Sequence, residues 1–436
     1  MTPNSEGYGM KFVYESDRTM KKELVICVPT YNRQEIIQSM LYVELDILRR
    51  YHVDIYIYDS SEGSATEDTV IKFVENGYSN LYYKRINAEV HANRKVYNIY
   101  QDMENSSYKY VWMVRDRFVI SEEALIYIQK ELSLGMPIYW INVLKREYES
   151  YKIKDLNEFL RKASCELLRF GTVILSVSAF LKGSNWQYYE KKYLNQKTIH
   201  ASHVGYYFER CAELEKFEVC RIDLPKSAIN DNKTKSASWE CNRLQIIAEC
   251  WGSVIWGLPK CYTCKRDAMH SQDPVMLSKI IILRKKSEGN YGIHEFIKYR
   301  KWFRRIRPEN YYFYFWAALL PVKILKNMYF SDFIKSIENS VRYIYGAGRI
   351  GNECGELLDI LGIDYKGYLV CSMEQNPDMK RNHPVMTAQE ALCKETATII
   401  IAVSMRTDDI QQIAEDLIHM NGADTLQIID YNKVRV

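Results

Sequence analysis

The stretch ELVICVPTYNRQEIIQSMLYVELDILRRYHVDIYIYD, residues 23–59, decides how this chain is built. It opens with a short apolar run, 23–29, that stops at Pro29. Residues 32–50 then carry apolar side chains at helical spacing. Residues 53–59 form a second apolar run and end on Asp59. A strand, a turn, an amphipathic helix and another strand make a βαβ unit, whose strands lie parallel in one sheet. The alternation continues, with a helix expected over 67–76, a strand over 80–86, a helix over 91–103 and a strand over 108–114. The expected fold class is α/β with a mixed, mostly parallel sheet. In such sheets ligands sit beyond the carboxyl ends of the strands. The residues to inspect are therefore Pro29 to Arg33, Asp59 to Ser61, and Arg115 to Arg117.

The last of these sites is unusual. In YKYVWMVRDRFVIS, residues 108–121, a buried strand ends on one carboxylate, Asp116, between Arg115 and Arg117. Such a cluster is either a surface ion network or a site for phosphates and a metal.

The chain has 436 residues, too many for one ordinary core, so two or three domains are expected. Apolar content of 47% is that of a globular protein, and 35 tyrosines suit surfaces that bind sugars, bases or membrane interfaces. Net charge is +4, but Lys279 to Arg307 alone carry ten Lys or Arg against two acids, a local +8. A nucleic-acid binder is basic over a whole domain, so nucleic acid is not an expected partner. Eleven scattered cysteines with no signal peptide ahead of them fit a reducing cytosol. Of the cluster Cys241, Cys250, Cys261 and Cys264, only the last two have zinc-like spacing, and buried thiols are the plainer reading. No apolar run reaches the ~20 residues that span a bilayer.

Three motifs come in a set order: VPTYNR after the first strand, YDSSEGS after the second, and the strand-end acid at 116. In this the chain resembles the family-2 glycosyltransferases, which have the GT-A fold, over roughly residues 23–265. The resemblance implies that Pro29, Tyr31, Asn32 and Arg33 wrap a nucleoside and that Asp59 accepts a hydrogen bond from uracil. It also implies that Asp116 holds Mg²⁺ or Mn²⁺ on the donor diphosphate, since hard cations prefer carboxylate and phosphate oxygens. Read singly, Asn32 could be only a helix cap and Asp59 only a turn residue. The family motif carries two or three acids, whereas this chain has Arg-Asp-Arg. That departure puts the metal in doubt, because Arg115 and Arg117 can neutralise phosphate directly.

An inverting transfer also needs a base. The family supplies an acid at the start of a helix before a late strand, and the matching helix here is HVGYYFERCAELEKF. No Glu-Asp pair opens it. His203 stands near the place and has a suitable ordinary pKa. Glu209 is the rival, and a structural histidine is the alternative. The polar loop 226–238 either closes over a diphosphate or is a solvated linker.

The segment 293–330 is basic and then aromatic. Phe296, Tyr299, Phe303 and Ile306 recur at helical intervals, with Lys298, Lys301 and Arg305 on another side. That is the pattern of a helix lying on an anionic membrane, or of a linker whose apolar face packs on protein. Further on, YIYGAGRIGNECG places Gly346, Gly348 and Gly351 in dinucleotide-binding spacing between a strand and a helix. The next strand ends in Val370, Cys371 and Ser372, with no acid to grip a ribose. Residues 341–430 resemble the small Rossmann-like domain of bacterial sugar O-acyltransferases.

The expected organisation is a flexible 1–22, a GT-A-like domain 23–265, a basic helical linker 266–335 and a Rossmann-like domain 336–436. The expected function is a cytoplasmic glycosyltransferase, peripheral on the inner membrane face, with an oligomer left open. It moves a sugar from a nucleotide donor, UDP-linked as the resemblance implies, to a glycan or polyprenyl-linked acceptor. The alternatives are a non-catalytic sugar-nucleotide-binding scaffold and an NAD-dependent oxidoreductase.

Overall fold

The computed structural model describes residues 23–435, except 88–91, 146–147, 226–227, 232–241, 271–276, 339–340, 374–375, 392–396, 404–406 and 422–425. The polar loop 226–238 lies mostly outside the described residues. The chain divides into two compact units, Met1–Gln272 and Asp273–Val436.

The first unit is a mixed α/β layer structure. Its strands are β1 (Leu24–Thr30), β2 (Asp54–Asp59), β3 (Leu81–Arg85), β4 (Tyr110–Met113), β5 (Phe118–Ile120), β6 (Ile138–Lys145), β7 (Glu149–Ile153), β8 (Val173–Ser176), β9 (Val219–Pro225) and β10 (Ile229–Asp231). Eight of them form one sheet in the order β3-β2-β1-β4-β8-β6-β9-β7, while β5 and β10 make a separate antiparallel pair. β1 pairs in parallel with both β2 and β4, β2 with β3, and β6 with β9. β8 and β7 run against their neighbours. The near-continuous apolar β1 is buried along almost its whole length, as a parallel strand covered on both faces must be.

Helix α1 (Gln34–Arg50) buries Ile37, Met40, Leu41, Leu45 and Leu48, one face at helical spacing. It ends where His52 takes a left-handed conformation (φ 55°) and the Val53 amide donates back to the Leu48 carbonyl. The order β3-β2-β1-β4 matters most for function. After β1 the chain steps outward to β2 and β3, then returns to the other side of β1 as β4. The carboxyl ends of β1 and β4 therefore meet at a switch point, where open sheets leave a crevice.

The second unit has a smaller sheet. Its strands are β11 (Val341–Tyr345), β12 (Gly367–Val370), β13 (Met379–Lys380), β14 (His383–Thr387), β15 (Ala397–Ile401) and β16 (Leu426–Asp430), in the order β13-β14-β12-β11-β15-β16. All pairings are parallel except β13 with β14. A run of helices precedes this sheet, including Ile293–Ile306, Tyr311–Leu319 and Val322–Tyr329. The apolar face expected to meet lipid is instead internal. Phe296, Tyr299, Phe303 and Ile306 are all buried, with the Phe303 ring tilted against Tyr314 of the following helix, centres 4.6 Å apart. Tyr314 itself donates to the Leu277 carbonyl. Protein covers that face, so it cannot dip into a membrane. No helix among the described residues is long and apolar enough to cross one.

Candidate functional site

The turn after β1 and the turn after β2 are locked together. Asn32 takes a left-handed conformation (φ 50°), tolerable for an asparagine. Its amide donates to Ser61 Oγ at 2.7 Å, and the Glu62 amide donates to its side-chain oxygen at 3.3 Å. Ser61 in turn donates from its amide to Asp59 Oδ1 at 2.8 Å and from its hydroxyl to the same oxygen. Tyr83 in the middle of β3 donates to Asp59 Oδ2 at 2.9 Å. Arg85 donates to the Ser61 and Gly63 carbonyls. Asp59 is thus fully buried and holds three strand ends in register. In this conformation it anchors the loop and shows no face to a uracil ring.

The third strand end joins through Arg33. Asp116 lies in the Arg115–Phe118 turn, closed by the Phe118 amide on the Arg115 carbonyl at 3.0 Å. Arg33 Nη1 reaches both Asp116 oxygens, at 3.1 and 3.2 Å. A partner of the acid is thus the residue that opens α1, 83 positions away in the chain. The Arg33 side chain is 30% exposed against 8% for Asp116, so the guanidinium keeps an outward face. Arg115 and Arg117 flank the pair, half-buried.

A cleft of about 460 Å³ opens over the first two strand ends, lined by Asn32, Arg33, Gln34, Ser61, Gly63 and Thr66. That volume lies within the range of small-molecule pockets. Tyr31 stands beside the turn, half-exposed, with its hydroxyl 3.3 Å from Glu62. Pro29 is in β1, paired in register with Tyr58 of β2, and shapes the strand end rather than the cleft wall.

One residue here was not anticipated. Lys95 of α3 (Ala92–Glu104) is only 4% exposed, yet its ammonium donates to the Thr30 carbonyl at 3.1 Å and to Ser60 Oγ. It also lies 5.5 Å from the centre of the Tyr31 ring. Burial pulls its pKa below the ordinary lysine value, and the charges of Asp59 and Asp116 act against that shift. The sequence did hold a signal. Lys95, Ile99 and Met103 are four residues apart, so a charge sits in the apolar stripe of its helix.

Asp116 could supply one carboxylate to Mg²⁺ or Mn²⁺, which would take its other oxygens from donor phosphate and water, so the cation expected there has a single protein acid to hold it. That carboxylate is already bridged by Arg33. Among the described residues, no group of three His, Cys, Asp or Glu side chains lies together. Cys250 and Cys264 are buried thiols that donate to the Gln196 and Asn157 carbonyls, and Cys261 is exposed.

The two expected bases have other roles in this conformation. His203 is 2% exposed, with Nε2 at 3.1 Å from the Leu167 carbonyl and its ring 5.0 Å from that of Phe170. Burial pushes its pKa down to about 4, so it is neutral at pH 7. A group so enclosed cannot reach an acceptor hydroxyl. Glu209 is 4% exposed and bonded to Lys192 and to the Tyr193 hydroxyl at 2.6 Å.

In the second unit, Gly346 has φ 110°, and a Cβ there would sit 2.7 Å from the Ala402 carbonyl oxygen. A Cβ on Gly351 would lie 1.7 Å from the Gly346 oxygen, so the turn and helix approach as only glycine allows. Lys380 donates to the Ala347 and Gly348 carbonyls across this loop. The Tyr345 hydroxyl meets Cys371 Sγ just beyond β12, where a ribose-binding acid would stand.

No family model matches the chain, and no curated protein matches it. Among solved structures it is similar to S. aureus TarS 1-349 in complex with UDP-GlcNAc, at 12% identity and a TM-score of 0.36. That match covers 71% of this chain and 87% of that one. The mannosyltransferase PcManGT from Pyrobaculum calidifontis, in complex with GDP-Man and Mn²⁺, gives 13% identity, a TM-score of 0.37, and coverage of 71% and 88%. Glucosyl-3-phosphoglycerate synthase from Mycobacterium tuberculosis, with Mn²⁺, UDP and glucosyl-3-phosphoglycerate, gives 10%, 0.35, and 55% and 81%. Likenesses this low carry no argument about donor, acceptor or metal.

Proposed function

We propose that the first unit is a glycosyltransferase that takes a sugar from a nucleoside-diphosphate donor, UDP-linked in the simplest case. One observation carries the reading: Arg33 joins the turn after β1 to Asp116 after β4, at the switch point and on the wall of the cleft. When the anomeric bond breaks, negative charge develops on the departing diphosphate. Preorganised cations aimed at that charge stabilise the transition state. Arg33, on the cleft wall, is the first of these; Arg115 and Arg117, which flank Asp116 in the chain, and the buried Lys95 add positive potential to it. Asp116 orients Arg33 rather than holding a cation. The acceptor is a glycan, free or polyprenyl-linked, and the base that takes its proton is not assigned to a residue here. The enclosure of His203 and the engagement of Glu209 favour one rival, a scaffold that binds sugar nucleotides without turning them over.

The test is release of UDP from a panel of UDP-sugars, with and without EDTA. Release is expected to persist in EDTA and to fall at least tenfold in Arg33→Ala. Asp116→Asn should fall less, because an amide oxygen still accepts from Arg33. Loss of release in EDTA would restore a metal to the site. Binding of a sugar nucleotide with no release under any condition would leave the scaffold.

A further inference from the structure

The helices that precede the second sheet bury one apolar face and still expose another. On helix Ile293–Ile306, residues 293, 297, 300 and 304 follow helical spacing, and all four are exposed. Ile293 and Ile297 begin this stripe, and Arg300 and Arg304 end it. On helix Tyr311–Leu319, residues 312, 316 and 319 form a second exposed stripe. Tyr312 is 74% exposed, Leu319 49% and Trp316 37%. The two stripes are joined by packing. Arg304 lies over the Tyr311 ring at 4.5 Å, and Phe296 touches both Tyr311 and Phe315. Phe315 in turn meets Trp316. Helix Val322–Tyr329 adds exposed Ile324 and Met328, tied in by Tyr329 against Phe313.

We propose that this surface, not the buried face, docks the protein on an anionic lipid surface. Charge argues for that occupant. Residues 293–330 hold eight Lys or Arg against Glu295 and Glu309. Glu295 accepts from the Gly292 amide and Glu309 pairs with Arg307. A second copy meeting this patch about a two-fold axis would set Arg300 and Arg304 against themselves. An anionic bilayer meets the same cations favourably. Tyrosine and tryptophan next to Lys and Arg suit the headgroup boundary, where rings sink and charged tips stay wet. The cations are also pre-placed: Lys298 and Lys301 lie 5.0 and 4.9 Å from the rings of Tyr299 and Trp302. This docking is independent of the proposed reaction.

The test is co-sedimentation of the full chain with phosphatidylcholine vesicles, with and without 30% phosphatidylglycerol. Binding at least tenfold tighter to the anionic vesicles is expected, weakening as salt rises. Arg300→Gln/Arg304→Gln should lose most of it. Tyr312→Ser/Trp316→Ser should also weaken it at least fivefold with charge unchanged. Trp316 is only 37% exposed and packs on Phe315, so unfolding midpoints are measured alongside, and Tyr312→Ser alone, at a 74% exposed site, is expected to weaken binding with the midpoint of wild type. Undiminished binding by the Tyr312/Trp316 variant would overturn the proposal, leaving only diffuse charge attraction. Absence of vesicle binding, together with a dimer that this variant dissolves, would overturn it in favour of self-association.

Discussion

Lys95 shows how far a single residue can be read from sequence. Its place in an apolar stripe was visible, but its contacts with Thr30 and Ser60 come from 65 and 35 residues away. Those distances are set by the sheet order, which no local pattern encodes. Asp59 and His203 are the same lesson in reverse. Each stands where a functional residue belongs, and each is enclosed by neighbours the sequence does not place beside it. Under the proposed function Lys95 is a positioning residue that holds positive potential under the strand ends. Lys95→Met should therefore weaken UDP roughly tenfold, about 1.4 kcal/mol, and leave uridine nearly unchanged. Equal losses for the two ligands would show that the ammonium only holds the β1 and β2 ends together. Parallel thermal unfolding of the variant separates those outcomes from a simple loss of fold.

At the scale of elements, the alternation from β1 through β4 was legible because parallel buried strands and one-faced helices leave strong periodicities. What covers an apolar face leaves no such mark. Residues 296, 299, 303 and 306 carry the same pattern whether lipid or protein lies over them, and here it is protein. Helix α1 carries a second hidden feature. Glu44 is 2% exposed on its buried face and accepts from the Ile120 amide of β5 at 2.6 Å. Burial raises its pKa to about 8, with the Ile120 bond acting the other way. The folded state thus holds a proton that the unfolded chain releases near pH 4.5. Stability from this group is full below that value and falls as pH rises towards 8. Glu44→Gln keeps an acceptor for Ile120 and removes the titration. It should gain on the order of 1 kcal/mol or more over wild type at pH 8.5, and little at pH 4.5. A gain of equal size at both pH values would mean that Glu44 does not titrate across this window.

At the scale of the whole molecule, the two units pose separate questions. The first has the strand order and cleft on which the proposed diphosphate site rests. The second has a glycine turn crossed by Lys380 and an exposed aromatic and basic helical surface. Close packing at Gly346 and Gly351 accounts for glycine at those two positions. Under the proposed function, cations at the β1 and β4 ends receive a nucleoside diphosphate without a metal. Titration calorimetry of UDP into the full chain in EDTA, with Arg33→Ala as the comparison, is the measurement that decides it. Measurable binding in EDTA is expected, weakened at least tenfold by Arg33→Ala, with UMP bound more weakly than UDP. Binding that appears only when Mn²⁺ or Mg²⁺ is added, or that Arg33→Ala leaves unchanged, would contradict it.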